Sequence, residues 1–229
     1  TPKAIREALQ RFSTHSYTED KNIAVQSIQD LGEIADPEQN EQQTIDALNS
    51  ANKELTIALG GDNSITYAAA LGVYGEKLST AGLITLDAHH DLRDGNSNGS
   101  PVRRLIEAGL NPKQIVQIGI NDFSNSSDYQ QLAHSLGITV ITRTQVASIG
   151  IEEACKKALE IAGASLGPIH VDLDVDVCDQ SVVPACPAAA PGGISAFELR
   201  QAARLLTSNS LVRGLDITEI DASRDSEDQ

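Results

Sequence analysis

Short runs rich in Val, Ile and Leu recur along the whole chain, at 23–28, 55–59, 83–86, 115–120, 139–142, 169–173 and 211–217. Several are almost continuous in apolar residues, as expected of strands covered on both faces. Between them fall helical patterns at 2–12, 41–52, 63–74, 101–108, 126–136, 151–162 and 196–206. Strand-then-helix alternation requires right-handed crossovers, and these build a mostly parallel sheet. The expected fold class is therefore α/β, a three-layer α/β/α sandwich. The segment 36–43 is polar and contains Pro37, which reads as a surface loop. No repeat and no second domain stand out, so the expectation is one domain over 1–229.

A parallel sheet restricts where chemistry sits, because ligands of open α/β sheets bind beyond the carboxyl ends of the strands. Three apolar runs finish in ionisable residues. One leads into Gly60-Gly61-Asp62-Asn63-Ser64, and the next, GLITL, stops in Asp87-Ala88-His89-His90-Asp91. The third passes through Asp172 and Asp174 to Asp176. An unpaired charge beside a dry core is costly, so something has to compensate these carboxylates. In an extended chain residues i and i+2 share a side, which lets Asp87, His89 and Asp91 converge, and likewise Asp172, Asp174 and Asp176. Several carboxylates with one imidazole make a hard O/N donor set suited to Mn2+ or a similar ion. Any single Asp is ordinarily a solvated loop acid, and it is the repetition at successive strand ends that argues for metal. His90 is expected to point away from its neighbours, and His15, His134 and His170 to be structural. Ser64 lacks the surroundings of a nucleophile and fits a helix cap.

Composition narrows the partners. Thirty-two acidic against 17 basic residues give a net charge of −15, which argues against a phosphate-binding surface and hence against nucleic acid. Aromatic residues are 3% and Trp is absent, which leaves no base-stacking platform. No run approaches the roughly 18 apolar residues of a membrane span. Cys155, Cys178 and Cys186 are odd in number and fit no disulfide framework or thiolate site, so buried packing in a reducing, cytoplasmic compartment is expected.

The ordered set GGDNS (60–64), DAHHD (87–91), Asp174-Val175-Asp176-Val177-Cys178-Asp179, Pro184, Pro191-Gly192-Gly193 and Asp216-Ile217-Thr218-Glu219 resembles the ureohydrolase superfamily of arginases, agmatinases and formimidoylglutamases. The likeness spans nearly the whole chain. An opening strand before Thr1 and a closing helix after Gln229 are expected to be missing by comparison. The resemblance implies an arginase-like fold and two Mn2+ per chain held by Asn63, Asp87, His89, Asp91, Asp174 and Asp176, with Asp87 and Asp174 bridging. It also implies water activated by both metals attacking an amidine carbon, Asp91 relaying protons, and Glu219 facing the cationic amidine nitrogens. Asp172 would sit behind the ligands. Trimers or hexamers are usual in the family, which makes a homo-oligomer the expectation.

Two positions depart from the pattern. Asn63 replaces the usual metal-ligating His, which implies a weaker second metal position. Asn98 stands where arginases carry a proton-transferring His, which counts against arginase itself. The stretches around DAHHDLRDGNSNGSPVR and VDLDVDVCDQ look formimidoylglutamase-like. That substrate carries two carboxylates, so Arg93, and less securely Arg103 and Arg104, are the candidate cations, with Asn98 and Glu219 completing the substrate contacts. Agmatinase or guanidinobutyrase activity, or a catalytically impaired metal- or metabolite-binding homologue, are the alternatives.

Overall fold

The computed structural model describes residues 1–23, 28–51 and 53–225. Its centre is a parallel sheet of β3 (Thr56–Leu59), β4 (Gly82–Leu86), β5 (Ile115–Ile120), β6 (Thr139–Thr142), β7 (Ile169–Asp174) and β8 (Val212–Thr218), in the order β3-β8-β7-β4-β5-β6. A two-stranded antiparallel ribbon, β1 (His15–Ser16) and β2 (Lys21–Asn22), precedes it. The helices are α1 (Pro2–Leu9), α2 (Glu41–Ala51), α3 (Ile65–Tyr74), α4 (Pro101–Ala108), α5 (Ser127–Leu136), α6 (Arg143–Ile149), α7 (Ile151–Ala162) and α8 (Ala196–Thr207). No helix of the described residues is long and apolar enough to cross a membrane.

The three layers follow from side-chain alternation along fully buried strands. In β4, Leu83 packs with Ile115, Val102 and Leu105 under α3, α4 and α5. Its neighbour Ile84 packs on the opposite face with Val116, Ala154 and Ala158 under α7 and α8. Burial on both sides is why β4 and β5 read as nearly continuous apolar runs, whereas β7 also buries His170, Asp172 and Asp174.

Departures from the sequence reading are local. Of the strand expected at 23–28, Ile23 lies outside any strand and 24–27 lie outside the described residues. Helix α6 was not expected. Its start does carry a legible signal, a capping box in which the Thr142 hydroxyl accepts from Gln145 N and the Gln145 side chain accepts from Thr142 N. Ser64 takes the N-cap position of α3 without capping it through its side chain. Its hydroxyl donates instead to Asp62 Oδ1 at 2.5 Å, so the expected cap bond is corrected to a local Asp62 turn.

The chain leaves β4 for β5 and β6 on one side, then crosses back to lay β7 and β8 on the other. The strand order therefore reverses between β4 and β7, and a ligand crevice forms at such a switch point. Asp87 follows β4 there, and Asp174 ends β7.

Candidate metal centre

Beyond Leu86 the backbone stops being a strand, and every N–H from Asp87 to His90 finds a partner off the regular ladder. Asp87 N donates to Ile118 O at 3.1 Å, and Ala88 N to Asp176 Oδ1 at 2.9 Å. His89 N donates to Asp87 Oδ1 at 2.6 Å, and His90 N to Asn125 Oδ1 at 3.0 Å. Beyond β7, Asp176 N donates to Asp174 Oδ1 at 2.8 Å as the chain enters a 3-10 turn, Val175–Val177. Freed amides at two adjacent strand ends thus hold and orient the carboxylates.

Ligating atoms of Asp87, His89 and Asp176 lie within 4.8 Å of one another. His89 Nδ1 is 2.7 Å from Asp176 Oδ2 and 3.5 Å from Asp87 Oδ1. Asp87 Oδ2 is buried without a hydrogen-bond partner. An orphaned buried oxygen within a mixed carboxylate–imidazole set is the donor arrangement a hard divalent cation satisfies, so these residues fit the Mn2+ that the sequence implies.

The electrostatics agree. Burial first, then the charges of Asp91 and Asp176, push Asp87 well above the usual carboxylate range. Burial, then Asp87 and Asp176, do the same to Asp174. Asp91 is pushed up to about 7, by burial and then by the Asp176 charge. The hydrogen bond to Asp176 leads the causes that hold the His89 imidazole above its ordinary value. In the absence of metal, burial and mutual repulsion favour the protonated forms of Asp87, Asp91 and Asp174, and a cation that enters must displace those protons.

The remaining expected residues divide. Asp91, with a left-handed φ of 53°, accepts a short hydrogen bond from Asn63 Nδ2. Asn63 Oδ1 is meanwhile held by Thr66 Oγ1 at 2.7 Å and Thr218 Oγ1 at 3.1 Å. Asn63 thus meets the acid cluster through nitrogen. Glu219, also left-handed at φ 68°, accepts from Asn63 N at 2.9 Å and from Asn98 Nδ2 at 3.4 Å. Burial raises its pKa above the ordinary value. Arg93 is exposed and near enough to His89 to oppose its protonation, and among the described residues it has no acidic partner.

Arg103 and Arg104 do have such partners. Arg103 pairs with Asp94 at 2.6 Å and Glu107 at 3.0 Å. Arg104 forks onto Glu41 at 2.6 and 2.8 Å and lies 3.7 Å from the Tyr67 ring centroid. The Arg104 charge is used in packing α4 against α2 and α3, and that of Arg103 in pairs with the preceding loop and within α4. His90 points away as expected, into a 2.7 Å contact between its Nδ1 and Gln117 Oε1. Cys155, Cys178 and Cys186 are buried and free, and burial pushes their thiols up to about 12, 12 and 11. Such thiols are inert packing residues.

Asp172 does not join the centre. It is fully buried one alternate position below Asp174, with both oxygens unpartnered, beside Asp216 and Thr85 in register. Asn125 and Gln117, which hold the metal-site backbone from 35 and 27 positions away, were not legible in sequence. No spacing rule connects them to it.

A parallel sheet with an acid–imidazole cluster at its switch point makes a candidate metal centre in an α/β fold, and comparison with known proteins gives the family. The arginase family model matches residues 1–229. Formimidoylglutamase of Halalkalibacterium halodurans is 37% identical across 98% of this chain and 74% of its own length. The crystal structure of formimidoylglutamase from Bacillus subtilis superposes with a TM-score of 0.89 at 29% identity, covering 97% of this chain and 73% of that one. Trypanosoma cruzi formiminoglutamase, solved with Mn2+, shares the fold at a TM-score of 0.85 and 20% identity, over 96% of this chain and 77% of that one. The chain belongs to the arginase family and is one of its hydrolases.

Proposed function

We propose that the protein hydrolyses N-formimidoyl-L-glutamate to L-glutamate and formamide in a Mn2+-dependent reaction. The observation that carries this reading is the Asp87–His89–Asp176 cluster at the switch point, with Asp91 and Asp174 beside it and Arg93, near His89, without an acidic partner among the described residues. The match to formimidoylglutamases over nearly the full chain supports it.

Asp87, His89, Asp91, Asp174 and Asp176 would hold two Mn2+ ions. When bound, the metals supply Lewis acidity that makes water nucleophilic near neutral pH. Water adds its oxygen to the amidine carbon, the bond to the glutamate nitrogen breaks, and a proton must reach that nitrogen. Asp91, beside the cluster, can accept and return a proton. Glu219, held by Asn63 N and Asn98, faces the cationic amidine. Arg93 pairs with a carboxylate of the substrate. Asn63 can act as a ligand only by turning its amide away from Thr66 and Thr218, which makes the metal position it serves the weaker one. The reaction is assigned to the cytoplasm and to a homo-oligomer, a trimer or hexamer.

One feature favours a second reading. A cleft of about 260 Å³ between the 36–39 loop and Gly61 is lined by Asp36, Glu38 and Asp62. Such a wall suits a cationic tail, as in agmatine. The deciding experiment is a panel of formimidoylglutamate, agmatine, guanidinobutyrate and arginine with Mn2+. Formamide release from formimidoylglutamate well above any turnover of the others is expected. Preferred turnover of agmatine would replace the first reading by the second, and ligand binding without turnover of any would indicate the impaired homologue.

A further inference from the structure

The sheet ladder between β4 and β5 runs in register up to Leu86 and Ile118, then fails. Strand β5 bulges between Ile118 and Ile120 at Gly119. Its φ of 101°, and a Cβ position only 2.3 Å from Val177 Cγ2, admit no side chain there. Two backbone bonds still cross beyond the last paired residues, Asp87 N to Ile118 O and Asn121 N to Ala88 O, each at 3.1 Å. After that, side-chain amides replace the missing strand.

Asn125, in the loop between β5 and α5, accepts from His90 N at 3.0 Å and donates to Ala88 O at 2.9 Å. One carboxamide thus engages the carbonyl before His89 and the amide after it, as a peptide group of a neighbouring strand would. Gln117, fully buried in β5, donates from Nε2 to His90 O at 3.0 Å and meets His90 Nδ1 with Oε1 at 2.7 Å. Because Nε2 faces a carbonyl, Oε1 must be the atom facing Nδ1. His90 therefore carries its proton on Nδ1 and donates it to Gln117.

Neither amide touches a metal-ligating atom, yet together they fix the backbone on both sides of His89. We propose that Asn125 and Gln117 are positioning residues that set the affinity of the centre for its metal by holding residues 88–90 in a ligand-ready geometry. The inference rests on the metal-centre reading above. Groups that orient ligands typically govern about 10- to 100-fold in metal affinity, and a clamp on the backbone of a ligand belongs with them.

The test is Mn2+ binding itself, followed by the loss of the free-ion EPR signal on titration, with no turnover involved. Asn125→Ala should raise the apparent Kd for Mn2+ about 10- to 100-fold, while the melting temperature of the metal-free protein stays within a few degrees of wild type. Asn125→Asp retains the acceptor for His90 N but loses the donor to Ala88 O, and should fall between. Gln117→Glu keeps the acceptor for His90 Nδ1 and gives a second, independent reading should Asn125→Ala fail to fold. Wild type that binds Mn2+ alongside variants that bind it equally well overturns the clamp and leaves the metal centre standing. Wild type that binds no Mn2+ overturns the metal centre, and the clamp with it.

Discussion

Two groups of nearly the same composition lie a few ångströms apart in this molecule. Past the carboxyl ends of the central strands β4 and β7, Asp87, Asp176 and His89 meet, with an imidazole nitrogen 2.7 Å from a carboxylate oxygen. Deeper in the same sheet Asp172, Asp216 and His170 lie together, and His170 Nε2 is 2.8 Å from Asp216 Oδ2. The difference is what the backbone can offer. Inside the sheet every nearby amide is consumed by the ladder, and both oxygens of Asp172 go without a donor. Past the strand ends, Ala88, His89 and Asp176 have free N–H groups, and each donates to a carboxylate of the site. The His89 side chain is 27% exposed, whereas His170 is 1% exposed. A sealed acid can shed its charge only by keeping a proton, and burial with the adjacent Asp216 pushes Asp172 well above the carboxylate range. The strand-end acids Asp87, Asp174 and Asp176 are buried too, but they adjoin the partly exposed His89, and an acid beside such an opening can exchange its proton for a cation. Position relative to the strand end, more than residue type, separates a metal site from a buried polar pair.

The largest effect should come from making the same substitution in both groups. Asp174→Asn at the strand end is expected to reduce turnover by roughly 10³-fold or more, as metal charge stabilisation worth several kcal/mol is lost, together with bound Mn2+. Asp172→Asn should keep its metal and leave the melting temperature unchanged or slightly raised, since no charged form is lost from the buried pair. Equal loss of Mn2+ from both variants, measured by metal analysis, would erase the distinction drawn here.

Next in size is Arg93→Gln, expected to raise KM for formimidoylglutamate about 10- to 100-fold through loss of a charge-assisted pair, with a smaller effect on kcat. An unchanged KM would remove Arg93 from the substrate site. Asn63→His should tighten the weaker Mn2+ position on the order of tenfold, imidazole being the better donor. Unaltered titration isotherms would mean that Asn63 serves Asp91 alone.

The smallest effect is in pH dependence without metal. Asp91 binds its proton more tightly in the folded chain, at about 7, than at its ordinary value of 3.8. Its stabilising contribution is therefore complete below about pH 4 and is lost as pH rises through 7. Metal-free wild type should lose a few degrees of melting temperature over that interval relative to Asp91→Asn, and saturating Mn2+ should restore them. A flat difference between the two proteins would show that Asp91 is not perturbed.

Much of this was legible beforehand, for identifiable reasons. The parallel sheet announced itself because strands buried on both faces are nearly continuous in apolar residues, as in β4 and β5, where Thr85 and Gln117 are the polar exceptions. The acid cluster was legible because Asp87, His89 and Asp176 lie within a few residues of such strands. The route to convergence was not. Alternation in an extended chain would have gathered Asp172 with Asp174 and Asp176, whereas the chain leaves the strand at Asp174 and again turns at Asp91, with its positive φ. Arg103 and Arg104 looked available because sequence does not show that Glu41 and Asp94 face them. Asn125 and Gln117 were invisible, because side-chain amides that replace a strand's backbone are placed by tertiary structure alone.

The most direct test of the central claim is the stoichiometry of Mn2+ on the purified wild-type chain after reconstitution, by equilibrium dialysis and elemental analysis, repeated on Asp87→Asn. Close to two ions per chain in the first and clearly fewer in the second is the expected result. Fewer than one ion per chain in wild type, or binding indifferent to Asp87, would contradict it.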